Sequence, residues 1–278
     1  MTKILATGVL PPRPDMAAIL AIGQRRTTAA LLPAILTGLV ILAAFAYGGA
    51  FDLERYRGAL TTLLTLAGDS IPPDFSRWRH WGRPVLETLS MSVCGTVLAS
   101  VAALPLGIVA AGNSGLPRLG AAIRLILNTL RSIPTLVWGV MFVAAVGFGP
   151  LPGIFALACH STGMLGKFYA EILEHIDPSP GEALKSQGTS PLGVLRFAIL
   201  PQILPRLVDV TVYRWENDVR SATVLGVIGA GGIGLELITA FHLFEYREAA
   251  ALTLVLLGLV TGINLIGGHV RGRFLGQR

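Results

Sequence analysis

The sequence predicts an all-α membrane protein with six transmembrane helices, and three observations lead there. Hydrophobic residues make up 53% of the chain and charged residues only 14%, too apolar for an ordinary soluble domain. Uncharged runs long enough to cross a bilayer recur along it, bounded by arginine and lysine. No β-α-β pattern interrupts them. The net charge of +6 comes from basic residues spread along the chain. That distribution fits flanked membrane spans and excludes nucleic acid as a partner. Cys94 and Cys159 lie far apart in apolar runs without a C-x-x-C, so neither a disulfide framework nor a cysteine metal site is indicated, and both read as packing residues.

Residues 1–28, with Lys3, Arg13, Arg25 and Arg26, are polar enough to stay in water and form a cytoplasmic segment. The uncharged run from Thr27 to Phe51 supplies the first transmembrane helix, residues 29–51. Ala44-Phe45-Ala46 resembles a signal cleavage site, but the apolar run exceeds the usual signal length of about 7 to 15 residues, so the helix is expected to remain. Residues 52–84 interleave Trp78 and Trp81 with Arg77, Arg79, His80 and Arg83. Rings beside arginines suit the headgroup region, which makes this a periplasmic or interfacial segment. No charge occurs between Glu87 and Arg118, giving a second span from Thr88 to Ala111 with a kink expected at Pro105. The run from Arg131 to Lys167 is too long for one span and is cut by the turn Gly149-Pro150-Leu151-Pro152-Gly153. Two antiparallel spans follow, starting near Ala121 and ending near Leu173. A fifth span covers Ile203 to Val227 and a sixth Ala249 to Gly268, ahead of a cytoplasmic tail, residues 271–278. An even count puts both termini on one side, and the distribution of arginine and lysine makes that side the cytoplasm.

Between the fourth and fifth spans lies a polar interruption, Gly181 to Pro191, ending in Ile199-Leu200-Pro201. Pro180 suits a helix start, Glu182 favours the positive end of the helix dipole, and Gly188 can take the left-handed conformation that ends a short helix. A second short helix is expected from Pro191 through Arg196. Such a pair forms a protruding knob suited to docking, where the plainer reading is an ordinary cytoplasmic loop. The segment resembles the E-A-A loop of the permease subunits of bacterial ABC importers. Glu182 and Ala183 match, Gly188 and Leu200-Pro201 fall in register, and Leu184 and Ala198 depart with apolar replacements. The resemblance implies a coupling loop over residues 178–201, with Glu182, Ala183, Leu184, Ser186, Gln187 and Gly188 meeting an ATPase subunit. It also implies that residues 85–270 are the five-helix core of a type I importer permease, with the first helix added.

The fifth span carries Arg214, Glu216, Asp218 and Arg220 at membrane depth. One such charge costs on the order of 3 kcal/mol, so the group has to be paired or wetted. Helical geometry puts Arg214 and Asp218 on one face and Glu216 and Arg220 on nearly the opposite one, each pair spaced i, i+4. These residues, with Arg131, either line a translocation path or lock the bundle as ion pairs. Gly229, Gly231 and Gly234 satisfy G-x-G-x-x-G, yet the strand, helix and sheet of a dinucleotide site are missing. Glycines at the end of a span instead permit close backbone approach and bending, so Gly229, Gly231, Gly232 and Gly234, with Pro134, are candidate hinge or gate residues.

Arg131-Ser132-Ile133-Pro134, Tyr213-Arg214-Trp215-Glu216 with Arg220, and Thr223-Val224-Leu225-Gly226 leading into the glycines resemble the permease of phosphonate importers, a branch that also serves phosphite and hypophosphite. The resemblance runs from Val85 to the end. It implies alternating access in the bacterial inner membrane with a second permease copy or a paralogue, two ATP-binding cassette ATPase subunits and a periplasmic substrate-binding protein. No G-x-x-x-x-G-K-[ST] occurs, so no cofactor is expected on this chain and ATP and Mg belong to the partner ATPase. An importer permease for another small solute such as an amino acid is the nearest alternative. An ATP-independent secondary transporter or channel would show repeated halves, which are absent. The five histidines are scattered without a ligand spacing, so no metal site and no enzyme centre is expected.

Overall fold

The computed structural model describes residues 16–113 and 115–275, and all its regular elements are helical. The chain divides into two compact units, one ending at Thr65 and the other starting at Leu66. The first unit holds α1 (Met16–Tyr47), α2 (Leu53–Tyr56) and the beginning of α3 (Ala59–Asp69). α1 starts well before residue 29, so part of the lead assigned to water is helical. Lys3 and Arg13 lie outside the described residues. Leu31, Ile35, Leu39, Val40 and Phe45 are each more than half exposed, an apolar surface suited to lipid.

In the second unit, α4 (Gly82–Ala110), α5 (Pro117–Ser132), α6 (Thr135–Val146) and α7 (Pro150–Glu174) precede the short α8 (Ser179–Ser186) and α9 (Pro191–Val194). α10 (Leu200–Leu225), α11 (Ile233–His242) and α12 (Tyr246–Leu275) complete it. Among the described residues three helical stretches can cross a membrane by length and composition, residues 78–110, 191–230 and 246–274, and the pair α5 and α6 makes up to four. At 25 residues α7 is long enough, but Pro150, Pro152, His160, Lys167, Glu171 and Glu174 make it too polar to count as one of them. The helices α4, α5, α6 and α10 all pack on it, so its side chains meet helices instead of lipid.

Small residues set that packing. Gly95, Ala99, Ala103 and Gly107 recur every four residues on α4 and form one buried stripe. A Cβ on Gly95 would come within 2.7 Å of Leu157 Cβ, and one on Gly107 within 2.8 Å of Tyr169 Cβ, so larger side chains would force α4 and α7 apart. On another face of α7, Gly163 lets α5 approach until a Cβ there would stand 2.7 Å from Leu127 O. Without a hydrophobic drive between helices in lipid, such close van der Waals contact is the main source of cohesion.

Four expectations change. The third span is not one straight helix, because α5 and α6 meet at 86° where Pro134 denies the next turn its N–H. The helix beginning at Pro191 does not stop at Arg196 but runs on through a π-helical segment, Leu195–Ile199, into α10. α11 was not foreseen, since the glycine run hid the short apolar helix behind it. The tail is helical as far as Leu275, and Arg278 lies outside the described residues.

The stretch from Pro72 to Trp81 is fastened to the turn between α11 and α12. Arg77 Nη1 donates to Glu248 Oε2 at 2.8 Å and to Glu245 Oε2 at 3.3 Å, and Arg247 Nε donates to Pro72 O at 2.8 Å. The Glu248 carboxylate holds the Arg77 guanidinium above its ordinary pKa. Trp78 is exposed as an interfacial ring should be, whereas Trp81 is buried against Ile233 and Leu252 and is core. Cys94 is exposed, not packed.

Candidate functional site

α10 is long, polar on two faces and clamped from three sides, so its charges define the site. Asp218 is fully buried. Its carboxylate accepts from Thr96 Oγ1 on α4 at 2.8 Å, from Ser161 Oγ on α7 at 2.8 Å, and from Arg214 Nη2 at 2.6 Å and Nε at 2.9 Å. One carboxylate thus ties α4, α7 and α10, and Arg214 beside it is itself buried. The expected pair of Arg214 and Asp218 forms.

The expected pair of Glu216 and Arg220 does not form. Glu216 is buried and faces α12, where Arg271 Nη1 stands 2.9 Å from its Oε1. Gly267 makes room for this carboxylate, since a Cβ there would collide with Glu216 Oε1. Arg271, read from the sequence as tail, is the real partner because α12 continues past the predicted end of the span. Arg220 is left on the exposed face of α10, with its Nη2 donating to Asn217 Oδ1 at 2.9 Å. Asn217 in turn donates to Tyr213 O at 2.8 Å, so Tyr213, Asn217 and Arg220 form a polar ridge one helical face wide. Among the described residues no carboxylate pairs with Arg220.

Gly229, Gly231, Gly232 and Gly234 form a packed elbow between α10 and α11. Gly229, Gly231 and Gly232 have φ of 92°, 81° and 73°, values open to glycine alone without strain. Glu87 Oε2 accepts from Gly232 N at 3.1 Å, and Thr88 Oγ1 accepts from Ile233 N at 2.9 Å. A Cβ on Gly226 would lie 2.6 Å from Leu235 N, so the two backbones touch as the chain folds back. At the other bend, Trp138 Nε1 donates to Leu130 O across Pro134 at 3.2 Å, and Arg131 Nε donates to Asn128 Oδ1 at 3.1 Å. The structure therefore brings Arg214 and Asp218 together, but leaves Arg131, Arg220 and the glycines in separate places.

The polar interruption has the expected shape at its start. α8 carries Glu182 in its first turn, and Gly188 follows with φ of 77°, its N–H donating to Lys185 O at 3.0 Å. Ser190 Oγ then accepts from Gly193 N at 3.3 Å and caps α9. Glu182, Ala183, Ser186, Gln187 and Gly188 are exposed and Leu184 is half-buried, which leaves this surface open to a partner. Sequence reasoning missed the clamp behind it: Gln202 Oε1 accepts from Asp177 N at 3.0 Å and Gln202 Nε2 donates to Asp177 O at 3.2 Å.

A helical membrane bundle with ion pairs inside it, glycine elbows and an exposed short-helix loop is built as the membrane-embedded component of a transporter. The chain belongs to the family of binding-protein-dependent transport system inner membrane components, whose pattern matches residues 103–274. It is 47% identical over 242 residues to the phosphite transport system permease protein PtxC of Stutzerimonas stutzeri, covering 87% of this chain and 88% of that one. It is 35% identical over 239 residues to the putative phosphite transport system permease protein HtxC of the same species, covering 84% and 85%. In fold it matches an inward-facing structure of the MetNI methionine ABC transporter, with TM-score 0.60, 24% identity, and coverage of 70% of this chain and 95% of that one. The importer-permease fold, the multi-pass inner-membrane class and the permease role follow.

Proposed function

We propose that this chain moves phosphite or a related phosphonate or hypophosphite oxyanion by alternating access, and that the exposed ridge of α10 lines the path. One observation carries the path assignment: Arg220 sits within the span of residues 191–230, exposed, with an amide and no acid beside it. An arginine facing lipid at that depth costs several kcal/mol, so this face belongs against water or a second permease subunit. A transient anion site there offers positive potential without tight binding, since a single guanidinium holds its ligand less firmly than a closed cluster. Similarity to the permeases named for phosphite supports the choice of oxyanion.

In this reading six spans place both termini and the coupling loop in the cytoplasm, with residues 52–84 periplasmic. A homodimer or a pair with a paralogue encloses the path. Two ATPase subunits dock on Glu182, Ala183, Leu184, Ser186, Gln187 and Gly188 and bind the ATP and Mg, and a periplasmic binding protein delivers the oxyanion. The glycine elbow and Pro134 are the places where such a bundle can bend. The test is phosphite uptake by proteoliposomes holding the whole transporter. Arg220→Gln should assemble with the ATPase, melt at the wild-type temperature and import at least tenfold more slowly. Wild-type uptake by Arg220→Gln would remove the ridge from the path.

A further inference from the structure

At the coupling-loop end of the bundle, α5, α7 and the end of α4 border a cavity of about 230 Å³ that opens to the surface, where Arg124, Asn128 and Glu174 are exposed. Arg124, Asn128 and Arg131 line it from α5 at i, i+4 and i+7, and Lys167, Glu171 and Glu174 line it from α7. Both carboxylates are engaged: Lys167 Nζ lies 3.4 Å from Glu171 Oε1, and Glu174 Oε1 accepts from Gly112 N at 2.6 Å. The two guanidiniums are not neutralised. Arg124 Nη1 donates to Ala110 O at 2.5 Å and Arg131 Nε to Asn128 Oδ1 at 3.1 Å, and among the described residues no ion pair reaches either. Each arginine has five N–H donors in a planar fork, and these bonds use one from each, so both line the cavity with donors to spare.

Depth gives the cluster a direction. The backbone N of Arg131 lies at the level of Gly163, where a Cβ would come within 2.7 Å of it. Glu174 and the end of α4 lie eleven residues further along α7, about 16 Å away at 1.5 Å per residue, three residues before Asp177 and the coupling loop. Arg131, Lys167 and Arg124 therefore form a descending series of cations from inside the bundle to its coupling-loop end.

We infer that this cavity is an exit-side binding site for a phosphorus oxyanion. The inference rests on the reading that the chain carries such an anion, and it adds a second site beyond the ridge at Arg220. The volume holds one phosphite with several waters, so the anion keeps part of its hydration shell and can leave. Glu171 pairs with Lys167 and Glu174 keeps its charge beside the Gly112 N–H, so three cations outnumber two carboxylates and the guanidinium forks are the donors that meet the phosphorus oxygens. A phospholipid phosphate offers the same oxygens, so the two sources have to be separated.

The experiment uses the whole permease–ATPase complex in phosphatidylcholine nanodiscs, titrated with phosphite without binding protein and followed by melting temperature. Wild type should show saturable stabilisation. Arg131→Gln and Arg124→Gln should each weaken the fitted Kd about tenfold, Arg131→Lys should lose less, and Arg118→Gln, on α5 but off the cavity, should match wild type. Unshifted melting of the ligand-free variants shows that they fold. Equal Kd for wild type and both glutamine variants, or no saturable response, overturns the site. Stabilisation only by added phosphatidic acid, lost in the same variants, overturns the exit role by assigning the cations to lipid. Phosphite uptake by wild-type proteoliposomes is scored separately: uptake with an unresponsive cavity sinks this site and leaves the transport reading standing, and binding without uptake sinks the transport reading and the exit role with it.

Discussion

Asp218→Asn is the sharpest test of the lock. The substitution keeps size and shape but removes the charge that faces Arg214, a guanidinium only 8% exposed beside a carboxylate that is 0% exposed. It also turns an acceptor of bonds from Thr96, Ser161 and Arg214 into a group half of which donates. Breaking one partner of a buried pair leaves an uncompensated charge and costs about 3–5 kcal/mol. Removing both charges, in Arg214→Met with Asp218→Leu, leaves only the Thr96 and Ser161 hydroxyls, which can turn to the carbonyls one turn back on their own helices and so stay near the low end of about 1–3 kcal/mol each. The double variant should therefore be more stable than Asp218→Asn. Thermal melting of the detergent-solubilised complex, with soluble fraction read by size exclusion, measures the order. Because neither side chain reaches the exposed ridge, the double variant should also retain most phosphite uptake. An Asp218→Asn protein as stable as wild type, or a double variant worse than the single, would refute the assignment of this pair to structure.

Two further outcomes test the bends. Gly188→Val places a β-branched residue at φ of 77°, so the permease should fold yet fail to retain its ATPase on affinity purification; normal association and uptake count against the coupling loop. Gly232→Ala combines φ of 73° with a Cβ 2.5 Å from Thr88 Oγ1, and should lower stability by about 1–3 kcal/mol, seen as a drop in melting temperature; an unshifted melt would mean that the elbow yields freely.

What the sequence revealed depended on whether the signal was local. Hydropathy found the cores of α4, α10 and α12, and the i, i+4 rule found the pairing of Arg214 with Asp218, because one helix contains all the information. The same rule failed for Glu216. Its partner Arg271 lies on another helix, and the basic tail had been given to topology. Thr96 and Ser161 were invisible for a related reason: a lone hydroxyl in an apolar run has no pattern until the fold sets it against Asp218. The bend between α5 and α6 was half legible, since Pro134 was marked as a candidate hinge although the third span was drawn through it. α7 was legible from punctuation more than from hydropathy. The turn at Gly149 marked its start and Lys167 its polar end, so the fourth span was found although its composition is less apolar than that of α4 or α12.

The clamp at Gln202 leads to the last prediction, which concerns force transmission. α8 is tied to α7 by the covalent link through His175 and Asp177, and to α10 by the Gln202 amide, which engages both the N–H and the C=O of Asp177 and also donates to Ala198 O at 2.9 Å. Asp177 Oδ1 in turn accepts from Ser179 N at 2.9 Å, and that bond holds its carboxyl below the ordinary carboxylate range. In the proposed docking, a push on α8 from an ATPase would therefore reach α10 through one side chain. Each of these exposed amide bonds contributes about 0.5–1 kcal/mol, so Gln202→Ala should barely change global stability. The local geometry is another matter, because a loosened α8 can follow the ATPase without moving α10. Gln202→Ala should retain the ATPase and hydrolyse ATP near the wild-type rate while importing several-fold less oxyanion per ATP. Gln202→Glu keeps the acceptor for Asp177 N but loses both donated bonds, and should fall between the two. ATP hydrolysed per phosphite imported, measured in the same proteoliposomes, separates these cases; a wild-type ratio in Gln202→Ala would show that coupling passes through the chain at Asp177 and not through the clamp.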